Sequence, residues 1–161
     1  HLDVPLSDAH EVNLHSLALI PEEYVPDVDM RLILYKRIAG ADSESELNEL
    51  KIEMVDRFGG IPTALFNLFR STQIKLSARA LGVKRIDLGP VKGLVEFAND
   101  TAVDPHELIK LVQESPETYE LVDGNRLRIN RVLEAEAARF NFVEKFLDTL
   151  SADNGLSDKT A

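Results

Sequence analysis

The sequence predicts an α+β fold: a helical N-terminal half packed with a small, mostly antiparallel sheet and a long C-terminal helix. Three observations lead there. Up to Gly82, apolar residues recur mainly at helical spacing. Beyond Gly82 the pattern shifts to two-residue alternation broken by turn residues, with one capped helix among them. From Leu133 to Leu150 a helical period returns and holds. The succession of strand, three helices, two strands, helix, hairpin and helix is that of an α+β domain.

Taken in order, Val12, Leu14 and Ser16 alternate with Asn13 and His15, so 11–19 reads as a short strand. Pro21 and Pro26 enforce an extended connection. Asp27 or Asp29 caps a first helix over about 28–40, ended by Gly40. In the second helix, Ser43 and Glu46 form a capping box. Leu47, Leu50, Met54 and Phe58 follow as a buried stripe, and Gly59-Gly60 stops it. Pro62 opens a third helix that is apolar on several sides and reaches about Leu81.

Ile86 and Leu88 alternate with Arg85 and Asp87, Gly89-Pro90 marks a turn, and Leu94 to Phe97 reads as the next strand. Asp104-Pro105-His106-Glu107 is a helix start, with an N-cap, a proline at the first position and a boxed Glu. In the following hairpin, Tyr119 and Leu121 must share a face with Leu127 and Ile129. A three-residue loop, Asp123-Gly124-Asn125, achieves this by pairing Leu121 with Leu127. The last helix is expected from about Asn130 to Leu150, with Leu133, Ala137, Phe140, Val143, Leu147 and Leu150 as its seam. The predicted organisation is a flexible linker at 1–10, one domain over 11–151 and a disordered tail over 152–161.

Composition narrows the function. The 161 residues suit one domain, and 44% hydrophobic content fills its core. Cysteine is absent, which excludes disulfides, thiolate metal sites and cysteine nucleophiles. No apolar run approaches the roughly 20 residues that cross a bilayer. The polar, proline-broken start from His1 to His10 is unlike a signal peptide, and the missing initiator Met suggests a piece of a longer chain. A formal net charge of −10 disfavours nucleic acid, whose phosphates require Lys and Arg, and favours a basic protein surface.

Catalytic motifs are lacking. No phosphate-binding glycine loop and no G-x-S-x-G elbow occur. His1, His10, His15 and His106 form no metal-ligand spacing, and His106 reads as an exposed helix-start residue. No cofactor or metal is therefore expected. Basic residues cluster modestly as Arg31, Lys36 and Arg37 and again as Lys84-Arg85, which leaves an accessory nucleic-acid module as the alternative. The sharper feature is acidic. Glu46, Glu49, Glu53 and Asp56 fall at i, i+3, i+7 and i+10 on the second helix, a stripe roughly opposite its buried face, with Arg57 beside it. An ordinary solvated face has the same pattern.

Several strings go further. Leu19-Ile20-Pro21-Glu22-Glu23-Tyr24-Val25-Pro26-Asp27-Val28 continues through Arg31-Leu32 and Leu34-Tyr35-Lys36-Arg37-Ile38-Ala39. Glu53-Met54-Val55-Asp56-Arg57-Phe58-Gly59 follows, and later Leu81-Gly82-Val83 and Gly93-Leu94-Val95-Glu96-Phe97. Over about 11–150 the chain resembles the C-terminal domain of the bacterial transcription-repair coupling factor, Mfd, with less likeness after Phe97.

That resemblance implies a cytoplasmic bacterial protein and a regulatory, non-enzymatic domain. The parent resembles a helicase-like, ATP- and Mg-dependent DNA translocase that displaces stalled RNA polymerase and brings UvrA to the lesion. The family's C-terminal domain packs on the UvrB-like N-terminal module and masks the UvrA-binding surface. Its E-x-x-D-R-F-G contact positions fall here on Glu53, Asp56 and Arg57, beside Glu49 and Glu46 of the acidic stripe. ATPase, helicase and DNA-binding functions would belong to the parent alone.

Overall fold

A computed structural model describes residues 10–153. The element order is β1 (Glu11–Asn13), α1 (Val28–Ala39), α2 (Glu44–Phe58), α3 (Thr63–Leu81), β2 (Val83–Leu88), β3 (Lys92–Phe97), α4 (Pro105–Glu114), β4 (Tyr119–Asp123), β5 (Arg126–Asn130) and α5 (Glu136–Asp153). Among the described residues these are five helices and a five-stranded mixed sheet, the expected α+β class. The expected linker at 1–10 lies outside the described residues but for His10. The expected tail does so beyond Asp153, residues 152 and 153 being the last of α5. The chain forms two compact units. Among the described residues, one is residues 16–76 and the other joins residues 10–15 with residues 77–153.

The first unit holds α1, α2 and most of α3. Its core comprises Ile20, Val25, Leu34, Ile38, Leu47, Leu50, Met54, Leu65 and Phe69. The helix ends follow their sequence signals. Asp27 accepts from the Asp29 N–H at the start of α1, and Ser43 from the Glu46 N–H at the start of α2. The capping box closes one residue early, because Glu46 Oε1 accepts from the Asp42 N–H at 3.1 Å. Gly59 ends α2 at φ 98°, a conformation that costs a side-chain-bearing residue free energy.

The second unit is the sheet with α4 and α5. Strand order is β1-β2-β3-β5-β4, with β1 parallel to β2 and the other pairs antiparallel. Alternation sends Ile86, Leu88, Val95, Phe97, Leu127 and Ile129 inward, where they are buried. Phe140, Val143, Phe146, Leu147 and Leu150 of α5 are buried in the same way. Tyr119 of β4 stacks on Phe146 with ring centroids 6.1 Å apart.

Three expectations are corrected. The first strand stops at Asn13 instead of running to 19, because the Leu14 and His15 carbonyls bond to Arg139 and His15 turns to φ 54°. The last helix begins at Glu136, not Asn130, because Asn130 completes β5 opposite Lys92. In the hairpin Leu121 does pair with Leu127, but Asp123 pairs with Arg126 across a two-residue turn. The residue left over is a bulge between Leu121 and Asp123, which restores the register.

Candidate functional site

Helix α2 carries every candidate residue. It is clamped at both ends and buries Leu47, Leu50 and Met54. Phe58, expected in the core, is only partly buried; it packs on the cluster with its ring 5.7 Å from that of Tyr24. The Tyr24 hydroxyl donates to the carbonyl of Gly59 at 2.6 Å and lies 3.2 Å from that of Met54, fixing the C-terminal turn. Burial raises the Tyr24 pKa, so it stays a neutral donor.

The acidic residues divide between two tasks. Glu53 accepts from both terminal guanidinium nitrogens of Arg37 on α1, each at 2.8 Å, and from Arg57 Nη1 at 3.2 Å. The Arg37 hydrogen bonds, joined by those of Arg57, lower the Glu53 pKa to about 2 against the opposing effect of desolvation. Arg57 also lies 4.9 Å from the Phe58 ring and bonds the Met30 sulfur at 3.6 Å. Glu46 caps Asp42. Glu49 and Asp56 carry no ion pair among the described residues and are exposed. Lys36, Arg37, Glu46, Glu49 and Glu53 edge a groove of about 450 Å³ between α1 and α2.

The stripe therefore divides. Glu46 and Glu53 flank α1, while Glu49 and Asp56, about 140° and 160° round the helix from Met54, share the side opposite the buried face with Ile52, itself about 160° round. Ile52 is 63% exposed and Val55 43%. Sequence reasoning missed both, although the same helical count that found the carboxylates points to Ile52. The arrangement is an apolar knob between two free carboxylates, Glu49 and Asp56, on a helix stiffened from below.

The long string at 19–39 turns out to be scaffold. Arg31 Nη1 donates to the carbonyls of Val25 and Pro26 at 2.8 and 3.1 Å. The Tyr35 hydroxyl accepts from the Ile20 N–H at 2.8 Å. With Arg31 on carbonyls and Arg37 on Glu53, Lys36 is the one cation of that cluster without a partner among the described residues. Two of the histidines are engaged too: His10 Nδ1 lies 2.8 Å from the Val83 carbonyl and His15 Nε2 2.7 Å from Asp87 Oδ1. No helix among the described residues is long and apolar enough to cross a membrane.

Comparison with known proteins agrees with this scaffold. Residues 14–108 match the TRCF domain family. A transcription-repair-coupling factor of Haemophilus influenzae is 39% identical over 142 residues, covering 88% of this chain and 12% of that protein. One from Escherichia coli K12 is 36% identical over 144 residues, covering 89% and 12%. The chain thus spans about an eighth of the length of these relatives. A crystal structure of the C-terminal domain of a transcription-repair coupling factor superposes with a TM-score of 0.71 at 20% identity, covering 89% of this chain and 96% of that one.

Proposed function

Because the chain belongs to the TRCF family, the C-terminal domain of transcription-repair coupling factors, we propose that it is an autoinhibitory docking domain. It latches onto the UvrB-like N-terminal module of its parent and masks the surface that UvrA binds. The parent is then a cytoplasmic, ATP-driven DNA translocase that displaces stalled RNA polymerase and recruits excision repair.

One observation carries the reading. Among the described residues, Glu49 and Asp56 are exposed carboxylates with no hydrogen bond or ion pair, set about the exposed Ile52 on a helix whose Glu53 is already held by Arg37 and Arg57. Such a surface suits a basic protein partner with an apolar recess. The Arg37–Glu53–Arg57 network holds the helix rigid, so little side-chain freedom is lost on docking. Removing one member of a desolvated interfacial pair costs about 2–5 kcal/mol, roughly 30-fold or more in the docking equilibrium. A clamp resting on a few such pairs is firm yet releasable when polymerase or DNA engages the parent.

The test is UvrA binding by the full-length factor carrying Glu49→Ala and Asp56→Ala. Neither side chain supports the fold, so the docked state should weaken and UvrA affinity rise at least several-fold. Unchanged UvrA affinity, with the double variant folded, would overturn the proposal.

A further inference from the structure

The outer face of the sheet carries a second feature that docking by α2 does not use. Strand register arranges its side chains in two rows. In one, Arg85 stands opposite Glu96, and Glu96 opposite Arg126; in the other, Asp87 stands opposite Leu94, and Leu94 opposite Arg128. These residues, with Lys92 and the Gly89-Pro90-Val91 turn, line a hollow of about 540 Å³. Four permanent cations (Arg85, Lys92, Arg126 and Arg128) face two carboxylates there, in a chain of formal net charge −10.

The arginines are held from outside the hollow. Arg126 Nη2 pairs with Asp123 at 2.8 Å, Arg128 Nη1 with Glu120 at 3.0 Å, and Arg85 Nε lies 3.6 Å from Glu11. A guanidinium offers five N–H donors, so each retains donors for a ligand. Lys92 has no ion pair among the described residues. Leu94 gives the floor a half-buried apolar spot, and the rim residue Val91 is exposed.

We propose that this hollow binds an acidic protein segment: an extended stretch with two or more carboxylates flanking an apolar side chain. Carboxylates match the arginine forks. The apolar side chain lies on Leu94, and Asp87 and Glu96 accept backbone N–H groups of the segment. A nucleic-acid strand fits poorly. Its phosphates would meet Asp87 and Glu96, and no Phe, Tyr or Trp lines the hollow to stack a base, the imidazole of His15 there being bonded to Asp87. The residues involved all belong to the unit holding the sheet, so this site stands or falls independently of α2.

The experiment is an NMR titration of the isotopically labelled full chain at low salt with a capped peptide of alternating Asp and Leu. Amide shifts confined to the region of Leu94, Arg126 and Arg128 are expected, weakened at least ten-fold in Arg128→Glu. Should that substitution disturb the strand, Lys92→Glu, at an exposed position, tests the same point, with a several-fold loss expected. A peptide with Lys in place of Asp should leave the spectrum unchanged. No shifts at millimolar acidic peptide would overturn the proposal. So would equal shifts with the Lys peptide, or shifts produced by inorganic phosphate or oligothymidylate and not by the peptide.

Discussion

Arg139 Nε donates to the carbonyl of Leu14 at 2.8 Å, joining α5 to the end of β1 across 125 positions. The same guanidinium donates to the carbonyls of His15 at 3.2 Å, Leu133 at 2.7 Å and Glu134 at 3.0 Å. It is 96% buried by those contacts, since only 4% of Arg139 remains exposed. One side chain thus satisfies carbonyls that the ending strand and the entry to α5 leave open. Arg139→Met should therefore destabilise the chain by about 2–4 kcal/mol, chiefly through unsatisfied buried carbonyls. For a chain of this size that lowers the thermal midpoint by roughly 5–15 °C. Lysine cannot span four acceptors with one ammonium, so Arg139→Lys should recover little of the loss. Denaturant unfolding of the three proteins checks this, and a wild-type-like Arg139→Met would refute it.

The Glu53 carboxyl provides a pH test. Its pKa falls from 4.5 to about 2 because Arg37, then Arg57, hydrogen-bonds the ionised form. The folded pKa lies below the unfolded one. The contribution of this cluster is then complete above about pH 4.5 and fades as pH drops toward 2. An NMR titration of the Glu53 side chain should give a midpoint near 2, and Arg37→Ala should move it up toward 4.5. A midpoint above 4 in the wild-type chain would mean that the Arg37–Glu53 fork does not form in solution.

Gly82 joins α3 to β2 at φ 75°, and a Cβ there would lie 2.6 Å from the Thr101 Cα. Both the left-handed backbone and the contact exclude a side chain. Gly82→Ala should cost about 2–4 kcal/mol, the sum of a left-handed residue and an overpacked contact. Gly124, whose Cβ would meet nothing within 4 Å, is the control, and Gly124→Ala should change stability by less than about 0.5 kcal/mol. Equal effects of the two substitutions would be inconsistent with this packing.

What the sequence made legible was local. The capping residues Asp27, Ser43 and Asp104 each bond the N–H their type predicts, because a cap depends on neighbours within three positions. The Leu121–Leu127 pairing was also readable, since only that register puts the apolar residues on one face. What escaped depends on distant partners. Nothing near residue 14 announces that Arg139 will take its carbonyl and end the strand. The Glu96–Arg126 pairing joins residues thirty positions apart, so the charged rows of the sheet stayed hidden while the stripe within α2 did not. Even in α2, the partner of Glu53 lies on another helix, which is why four equivalent carboxylates on paper became two free and two engaged.

That division yields the last prediction. If α2 docks through its free surface, Ile52 should contribute more than Glu53. Ile52 is 63% exposed, so Ile52→Ser removes little folding energy, within about 0.5 kcal/mol. In an interface the same side chain would bury apolar area worth about 1.5–3 kcal/mol, roughly ten-fold or more in docking. Glu53→Gln, by contrast, loosens the Arg37 fork and acts on docking only through helix rigidity. In the full-length factor, Ile52→Ser should raise UvrA binding and protease access to the N-terminal module more than Glu53→Gln does, with both variants folded. The reverse order would place the contact on the α1 flank of α2, at the groove edged by Lys36 and Glu53.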